Sequence, residues 1–320
     1  MIKILGIVGP TGGGKSALAL ELACRLGGEI ISCDSMQVYR RMNIGTAKPD
    51  EEERRRVVHH LIDVADPKEP FSCADYVPMA EAAIEACAAA GRLPIVCGGT
   101  GLYLDALLRK NDFAPDTVNE EIRQELWAWL EREGADALYQ KLERIDPESA
   151  AATHPNNVKR VIRALEIYHA CGVTKTELDR RSREGGMRYD ACVIGLRYPE
   201  RERLYRRIDT RVDAMMAAGL EAETRALMAE GVFEANQTAA QAIGYKELIP
   251  YCRGEESLAA ATDHLKMATR RYAKRQMTWF SAKEYVRWID VTEGGVPKTF
   301  EEIVNNAEQL FQSFAKCGTI

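Results

Sequence analysis

The stretch IKILGIVGPTGGGKSALALELACRLGGEIISC, residues 2–33, decides the fold. At its centre Gly9, Pro10, Thr11, Gly12, Gly13, Gly14, Lys15 and Ser16 fit G-x-x-x-x-G-K-[ST], the phosphate-binding P-loop pattern. The context supports the match, because an apolar run precedes the loop and a helical pattern follows it. Glycines let successive backbone N–H groups turn inward around phosphate oxygens, and the next helix adds its positive end. Lys15 reaches the outer phosphates as a point charge, and the Ser16 hydroxyl is a candidate Mg²⁺ ligand. A chance glycine-rich turn would need neither the strand nor the helix. The loop predicts a bound di- or triphosphate without saying which.

Working outward, residues 2–8 read as a buried strand and 15–26 as a helix carrying Leu18, Leu22 and Leu26 on one stripe, closed by Gly27-Gly28. EIISC, 29–33, is a second strand. A right-handed crossover makes the two strands parallel, so Asp34 emerges at the edge that carries the P-loop. Residues 34–49 predict a short helix and loop over the phosphate site. The charged run 51–60 predicts a solvated helix start, and 71–91 a helix from an N-cap at Ser72 to Gly91. LPIVCGGTGLY, 93–103, predicts a strand opening into a glycine-rich turn, which brings Thr100 to the same edge as Asp34.

Past residue 112 the texture turns helical as far as 187, and RRSREGGMR, 180–188, predicts an exposed, basic, glycine-broken loop. Strand character returns at 189–199, helices fill 200–283, and 284–291 predicts a last strand. The expected fold class is α/β, a P-loop NTPase-like core with a parallel sheet interrupted by a mostly helical insertion. Residues 1–112 and 188–320 would form the core with its C-terminal helices, and 113–187 the insertion. No internal repeat or low-complexity segment is present.

Composition narrows the function classes. With 320 residues, 46% hydrophobic and 28% charged, the chain has ample length for a buried core. A net charge of -5 means that a nucleic-acid partner needs local basic faces rather than a global field. The nine cysteines are odd in number and form no C-x-x-C pair, which points to reduced thiols rather than a disulfide framework or zinc site. His59-His60 has no cysteine at ligand spacing. No signal segment precedes the first strand, and no apolar run approaches the ~20 residues of a membrane span. A cytoplasmic location and no membrane partner are expected.

Asp34 has three candidate roles: general base for a nucleophile at the phosphate edge, support for Mg²⁺, or a strand-end Asp bonded to its own loop amides. The P-loop beside it favours the base. Thr100 offers a hydroxyl at that edge, although the GGTG turn alone would be unremarkable. An NTP-hydrolysing motor would place an Asp after this buried strand, and VCGGTG does not. Basic groups recur on helices: Lys159, Arg160 and Arg163; Lys266, Arg270 and Lys274 with Arg271, Arg275, Trp279 and Phe280; and Tyr205, Arg206, Arg207 and Arg211. Each alone suits a solvated face. Three of them in an acidic protein suggest a polyanion, and aromatics beside Arg suit stacking on an unstacked RNA base.

GPTGGGKS, DSMQVYR at 34–40, IGTAKP at 44–49, HHLID at 59–63, GGTGLY at 98–103, RVIRALE at 160–166, AIGYKE at 242–247 and RRYAKRQMTWF at 270–280 together resemble the tRNA dimethylallyltransferase family, in order and over nearly the whole chain. The resemblance implies transfer of a dimethylallyl group from dimethylallyl diphosphate to N6 of adenosine 37 in tRNA, with Mg²⁺ at Ser16 and release of diphosphate. By resemblance Asp34 is the base, and Lys15, Thr100 and an arginine, Arg207 or Arg211, hold the leaving diphosphate. Asp34, Ser35, Met36, Gln37 and Thr100 would meet the flipped base and its neighbours. The anticodon stem-loop would touch Arg123, Lys159, Arg160, Val161, Ile162, Arg163, Gln241, Ala242, Ile243, Gly244, Tyr245, Lys246, Arg275, Gln276, Trp279 and Phe280. A monomer is expected, since one chain supplies donor site and RNA faces. Two alternatives share parts of the pattern. A small-molecule kinase of the shikimate or nucleoside-monophosphate type would use the P-loop and Asp34 without the insertion or basic faces. A non-catalytic tRNA-binding or nucleotide-sensing module would bind RNA without turnover.

Overall fold

The computed structural model of the chain describes residues 1–109 and 120–317, so the helical expectation for 113–119 lies outside it. One compact unit runs through Met1–Leu107 and Tyr189 onward, and a second through Leu108–Arg188.

The first unit begins with β1 (Lys3–Val8), α1 (Lys15–Leu26), β2 (Gly28–Ser32), α2 (Glu51–Arg56), β3 (His59–His60), α3 (Cys73–Ala89), β4 (Leu93–Cys97) and α4 (Gly101–Leu108). In the second unit lie α5 (Glu120–Ile145), α6 (Pro147–Ala151), α7 (Val158–Cys171) and α8 (Lys175–Glu184). The first then resumes with β5 (Asp190–Arg197), α9 (Arg201–Ala217), α10 (Leu220–Ala229), α11 (Val232–Ala235), α12 (Gln237–Ala240), α13 (Tyr245–Cys252) and α14 (Leu258–Ser281). It ends with β6 (Val286–Asp290), a small β7–β8 hairpin (Thr292–Glu293, Val296–Pro297) and α15 (Phe300–Cys317).

Six strands form one sheet in the order β3-β2-β4-β1-β5-β6, and every pairing is parallel. From β1 the chain crosses to β2 and on to β3 at the edge, and from β3 it returns to β4, between β2 and β1. Right-handed crossovers in opposite directions put α1 and α3 on opposite faces. The side chains obey the two-residue period of a strand. Leu5, Ile7, Ile30, Ile95, Cys192 and Ile194 pack with Leu18 and Leu22 of α1 and with Val304, Ala307 and Phe311 of α15. The intervening Ile4, Ile31, Val96 and Val193 are buried on the other face. Ile7 and Ser32 both stand level with Cys97. The strand ends therefore deliver Gly9, Asp34 and Gly99 to one edge.

Local sequence accounts for most element ends. Gly14 (φ 88°) starts α1 and Gly27 (φ 65°) closes it. Ser72 caps α3 in a capping box with Asp75. Three expectations need correction. Residues 34–49 form successive turns and no helix. Arg41 (φ 67°) and Ala47 (φ 46°) are left-handed, and the 43–45 amides go to a distant side chain instead of a preceding carbonyl. The charged run ends as a helix at Arg56, and His59-His60 pairs with Ile30-Ile31 as the edge strand. Residues 180–184 are helical rather than loop, because Glu177 pairs with Arg180 and Arg181 one turn on.

A second apolar core joins Val38, Tyr39 and Met42 of the 34–49 segment to Val212, Leu220, Leu227, Tyr245 and Leu265 of the α9–α14 bundle. That bundle holds the segment against the strand edge. The second unit has its own core of Leu138, Leu142, Val161, Ile162 and Leu165. In it the buried Asp146 accepts from Ser149 N–H (3.1 Å), Thr176 N–H (3.0 Å) and the Thr176 hydroxyl (2.6 Å), tying α6 to α8. No helix among the described residues is long and apolar enough to cross a membrane.

Candidate active site

The P-loop is braced from outside. Arg207 Nε donates to Gly12 O (3.0 Å), and the Tyr198 hydroxyl to Gly13 O (3.1 Å). Gln276 on α14 accepts from Thr11 N–H (2.7 Å) through Oε1 and donates from Nε2 to Gly99 O (3.0 Å). One amide thus locks the P-loop to the GGTG turn. That turn tolerates no side chain, since a Cβ on Gly98 would lie 1.9 Å from the Cys33 carbonyl oxygen. The Thr100 hydroxyl accepts from Ser35 N–H (3.0 Å) and lies 3.3 Å from Ser35 Oγ. Asp34 Oδ1 accepts from Met36 N–H (2.9 Å) and, at longer reach, Gln37 N–H (3.4 Å). The Asx turn is therefore present, and it aims the carboxylate without removing it from the cavity.

Two cavities meet at this edge. The first is lined by Thr11, Lys15 and Ser16 of the P-loop region and by the apolar Leu20, Ile30 and Ile62. The second is lined by Ser35, Met36, Gln241, Ile243, Gly244 and Arg275. Asp34, Thr11, Thr46, Arg211 and Tyr272 line both. Electrostatics favour an anion in the first. Lys15 donates to Pro10 O (2.8 Å), and its ammonium is held down at about 8, chiefly because it is withdrawn from water and next because it faces Arg211, against the pull of Cys97 and Asp34. Burial also lowers Arg211. Two desolvated cations side by side are stabilised when a diphosphate arrives. Burial pushes the Cys97 thiol up to about 11 and raises the Tyr272 phenol, so both stay neutral.

The geometry suits a diphosphate ester held beside a carboxylate, with a second chamber for an acceptor. Comparison with known proteins agrees. The family described as IPP transferase matches residues 37–283, and the one described as Isopentenyl transferase matches residues 2–64. The chain belongs to the IPP transferase family. It is 47% identical over 293 residues to a tRNA dimethylallyltransferase of Geobacillus kaustophilus, covering 92% of each chain. It is also 47% identical over 287 residues to that of Bacillus subtilis, covering 89% of this chain and 90% of the relative. Among solved structures it resembles a full-length tRNA isopentenylpyrophosphate transferase from Bacillus halodurans (43% identity, TM-score 0.71, 99% of both chains). A eukaryotic dimethylallyltransferase acting on tRNA is similar too (31% identity, TM-score 0.77, 92% of this chain and 75% of that one).

Within this family member the predicted residues sort by position. Asp34, Lys15 and Arg211 converge on the first cavity, whereas Thr100 lines neither cavity and binds Ser35 instead, and Arg207 is occupied with the P-loop backbone. Ser35, Met36, Gln241, Ile243, Gly244 and Arg275 line the second cavity. Gln37 lines the first cavity rather than the second, and it binds the Ser32 hydroxyl and the carbonyls of Thr46 and Ala47. Lys159, Arg160 and Lys246 are exposed, as an RNA contact requires. Arg123 and Arg163 pair with the buried Glu166 (2.6 and 3.3 Å).

Several expected RNA contacts are corrected. Val161, Ile162, Tyr245 and Phe280 are buried among apolar neighbours and offer RNA no surface. Gln276 is also buried and joins two loops instead, and Ala242 is only a buried wall. Trp279 is 38% exposed, seated against Gly101 with Lys283 4.8 Å from its ring. Two members of the basic row are neutralised, Lys266 by Asp213 (2.6 Å) and Arg270 by Asp209 (2.9 Å). Arg211 does not share a solvated face with Arg206 but turns inward. Tyr272 and Thr46, at the junction of the cavities, were not singled out in the sequence. Tyr272 lies inside the RRYAKRQMTWF match, and its spacing from Gln276 (i, i+4) was the available signal.

Proposed function

We propose that the chain transfers the dimethylallyl group of dimethylallyl diphosphate to N6 of adenosine 37 in tRNA, releasing diphosphate. One observation carries the reading: the cavity lined by P-loop residues and the second cavity share Asp34 in their lining. The donor diphosphate would sit on the P-loop amides with Lys15, its C5 chain against Leu20, Ile30 and Ile62. The target base would enter the second cavity unstacked, at a cost of a few kcal/mol. The exocyclic nitrogen then attacks C1 while the C1–O bond breaks and its electron pair leaves with the diphosphate. Asp34 accepts the N6 proton. A base is the apt aid, because the lone pair of that amine is delocalised into the ring. Lys15 and Arg211 stabilise the departing charge, Arg211 in preference to Arg207 because it faces the shared wall. Thr100 aligns the Ser35 backbone beside the base.

Ser16 and Asp34 line the donor cavity with hard oxygen donors, and no group of three His, Cys, Asp or Glu stands ready for a metal among the described residues. That sparse set suits Mg²⁺ carried on a diphosphate, so Ser16 would hold it there. When bound, the ion would neutralise diphosphate charge. We further propose that the chain acts as a cytoplasmic monomer, and that Lys159, Arg160 and Arg163 of the second unit contact the anticodon stem-loop. A small-molecule kinase is disfavoured, since the relatives matched over about nine-tenths of the chain are tRNA dimethylallyltransferases.

The test is a transfer assay with radiolabelled dimethylallyl diphosphate, Mg²⁺ and an unmodified tRNA carrying adenosine 37, with ATP and a small-molecule panel in parallel. Label mapped to that base is the expected result. ATP consumption without label in tRNA would move the assignment to a kinase, and RNA binding without either would make it a binding module.

A further inference from the structure

The IGTAKP loop carries the left-handed Ala47, and the amides at its start converge on one carboxylate. Among the described residues four non-glycine positions have left-handed φ, namely Arg41, Ala47, Leu61 and Asp63, and all fall between 41 and 63. Strain gathered in one segment persists only where surroundings over-determine it. Here the surroundings are specific. Glu223 on α10 accepts from three consecutive amides: Asn43 N–H (3.0 Å), Ile44 N–H (2.9 Å) and Gly45 N–H (3.1 Å). The Tyr245 hydroxyl donates to the same group (2.7 Å). Consecutive amides converging on an anion form a nest, and here a side chain fills it. Gly45 lies so close to Tyr245 that a Cβ would stand 2.5 Å from the ring. IGTAKP and AIGYKE, far apart in sequence, are therefore one packed unit.

The loop is also the partition of the site. Thr46 lines both cavities, Gly45 the base cavity and Ala47 the donor cavity. We propose that Glu223 is a positioning residue for the transfer reaction, fixing residues 43–47 as the wall that sets the donor and the base at their mutual distance. This rests on the function proposed above. A carboxylate is needed because an amide presents one acceptor oxygen to four donors, whereas both carboxylate oxygens accept here.

The experiment pairs Glu223→Gln with Gly45→Ala and Tyr245→Phe, reading amide hydrogen exchange at 43–47, melting temperature, and KM and kcat for both substrates. In Glu223→Gln, exchange at 43–45 should quicken at least about tenfold, and kcat should fall by about ten- to a hundredfold in enzyme that is still folded, since sub-ångström misplacement is amplified in rate. Gly45→Ala, which keeps the carboxylate but pushes the loop off Tyr245, should lower kcat in the same way. Tyr245→Phe, which keeps the nest, should show a smaller fall. Unchanged exchange in Glu223→Gln would overturn the proposal. So would a lower melting temperature with unaltered kcat and KM in the folded fraction, or wild-type kinetics in Gly45→Ala. Should the wild type itself transfer nothing, the functional assignment falls, while the exchange arm still decides whether Glu223 holds the loop.

Discussion

At the residue scale the site is a contrast between one carboxylate and two buried cations. Asp34→Asn keeps the Asx turn to Met36 but removes the base, so turnover should fall by about 10²–10⁴-fold with tRNA affinity unchanged in a filter-binding assay. Equal losses in both would mean a role in binding. Lys15 sets a pH limit with a definite sign. Its ammonium is complete below about 8 and is lost as pH rises through that value, so kcat/KM for the donor should decline above about pH 8. Stability runs the other way. The unfolded lysine still binds its proton between about 8 and the ordinary 10.5, so its contribution to stability rises with pH across that window. Lys15→Met should therefore raise the melting temperature at pH 7 while abolishing donor capture. Lys15, Ser16, Asp34 and Thr100 were legible because motif and strand topology alone set their edge. Glu223 was not, because its partners are backbone amides, which have no sequence signature.

At the element scale α14 does three jobs on one cylinder. Leu265, Thr269, Ala273 and Phe280 form its buried stripe, Tyr272 and Arg275 reach the cavities, and Gln276 ties two loops. Gln276→Ala would orphan the Thr11 amide and the Gly99 carbonyl, each worth about 1–3 kcal/mol when buried without a partner. We expect a lower melting temperature and a raised donor KM, with tRNA affinity intact. A drop in tRNA affinity alone would restore the RNA-contact role expected from the sequence. Helical spacing identified the basic row but not which members face Asp209 and Asp213 of α9. Ion pairing between helices depends on how they pack, and periodicity is blind to it.

At the scale of the whole molecule, the helical second unit interrupts the first in sequence. The chain leaves and returns at one point, where Arg188 N–H donates to Leu108 O (2.8 Å). Replacing 109–187 by a short Gly-Ser linker should leave a folded protein that binds diphosphate by calorimetry but has lost most tRNA affinity. An unfolded product would show that the core depends on the excursion. In the intact protein log K for tRNA should fall linearly with log salt, by about 0.9 per phosphate neutralised in a stem. Charge reversal at Lys159 and Arg160 should shallow that slope.

The sequence by itself determined the P-loop, the parallel strand edge that gathers Asp34 and Thr100, and the interruption of the core by helices. Each is local or follows from the handedness of a crossover. Tertiary structure alone decided that residues 34–49 are a strained wall rather than a helix and that Arg211 turns inward while Arg207 braces a loop. It also decided that several apparent RNA contacts are core. Those outcomes depend on which groups meet across long sequence separations. Burial and competing hydrogen bonds there override the local preference of the chain.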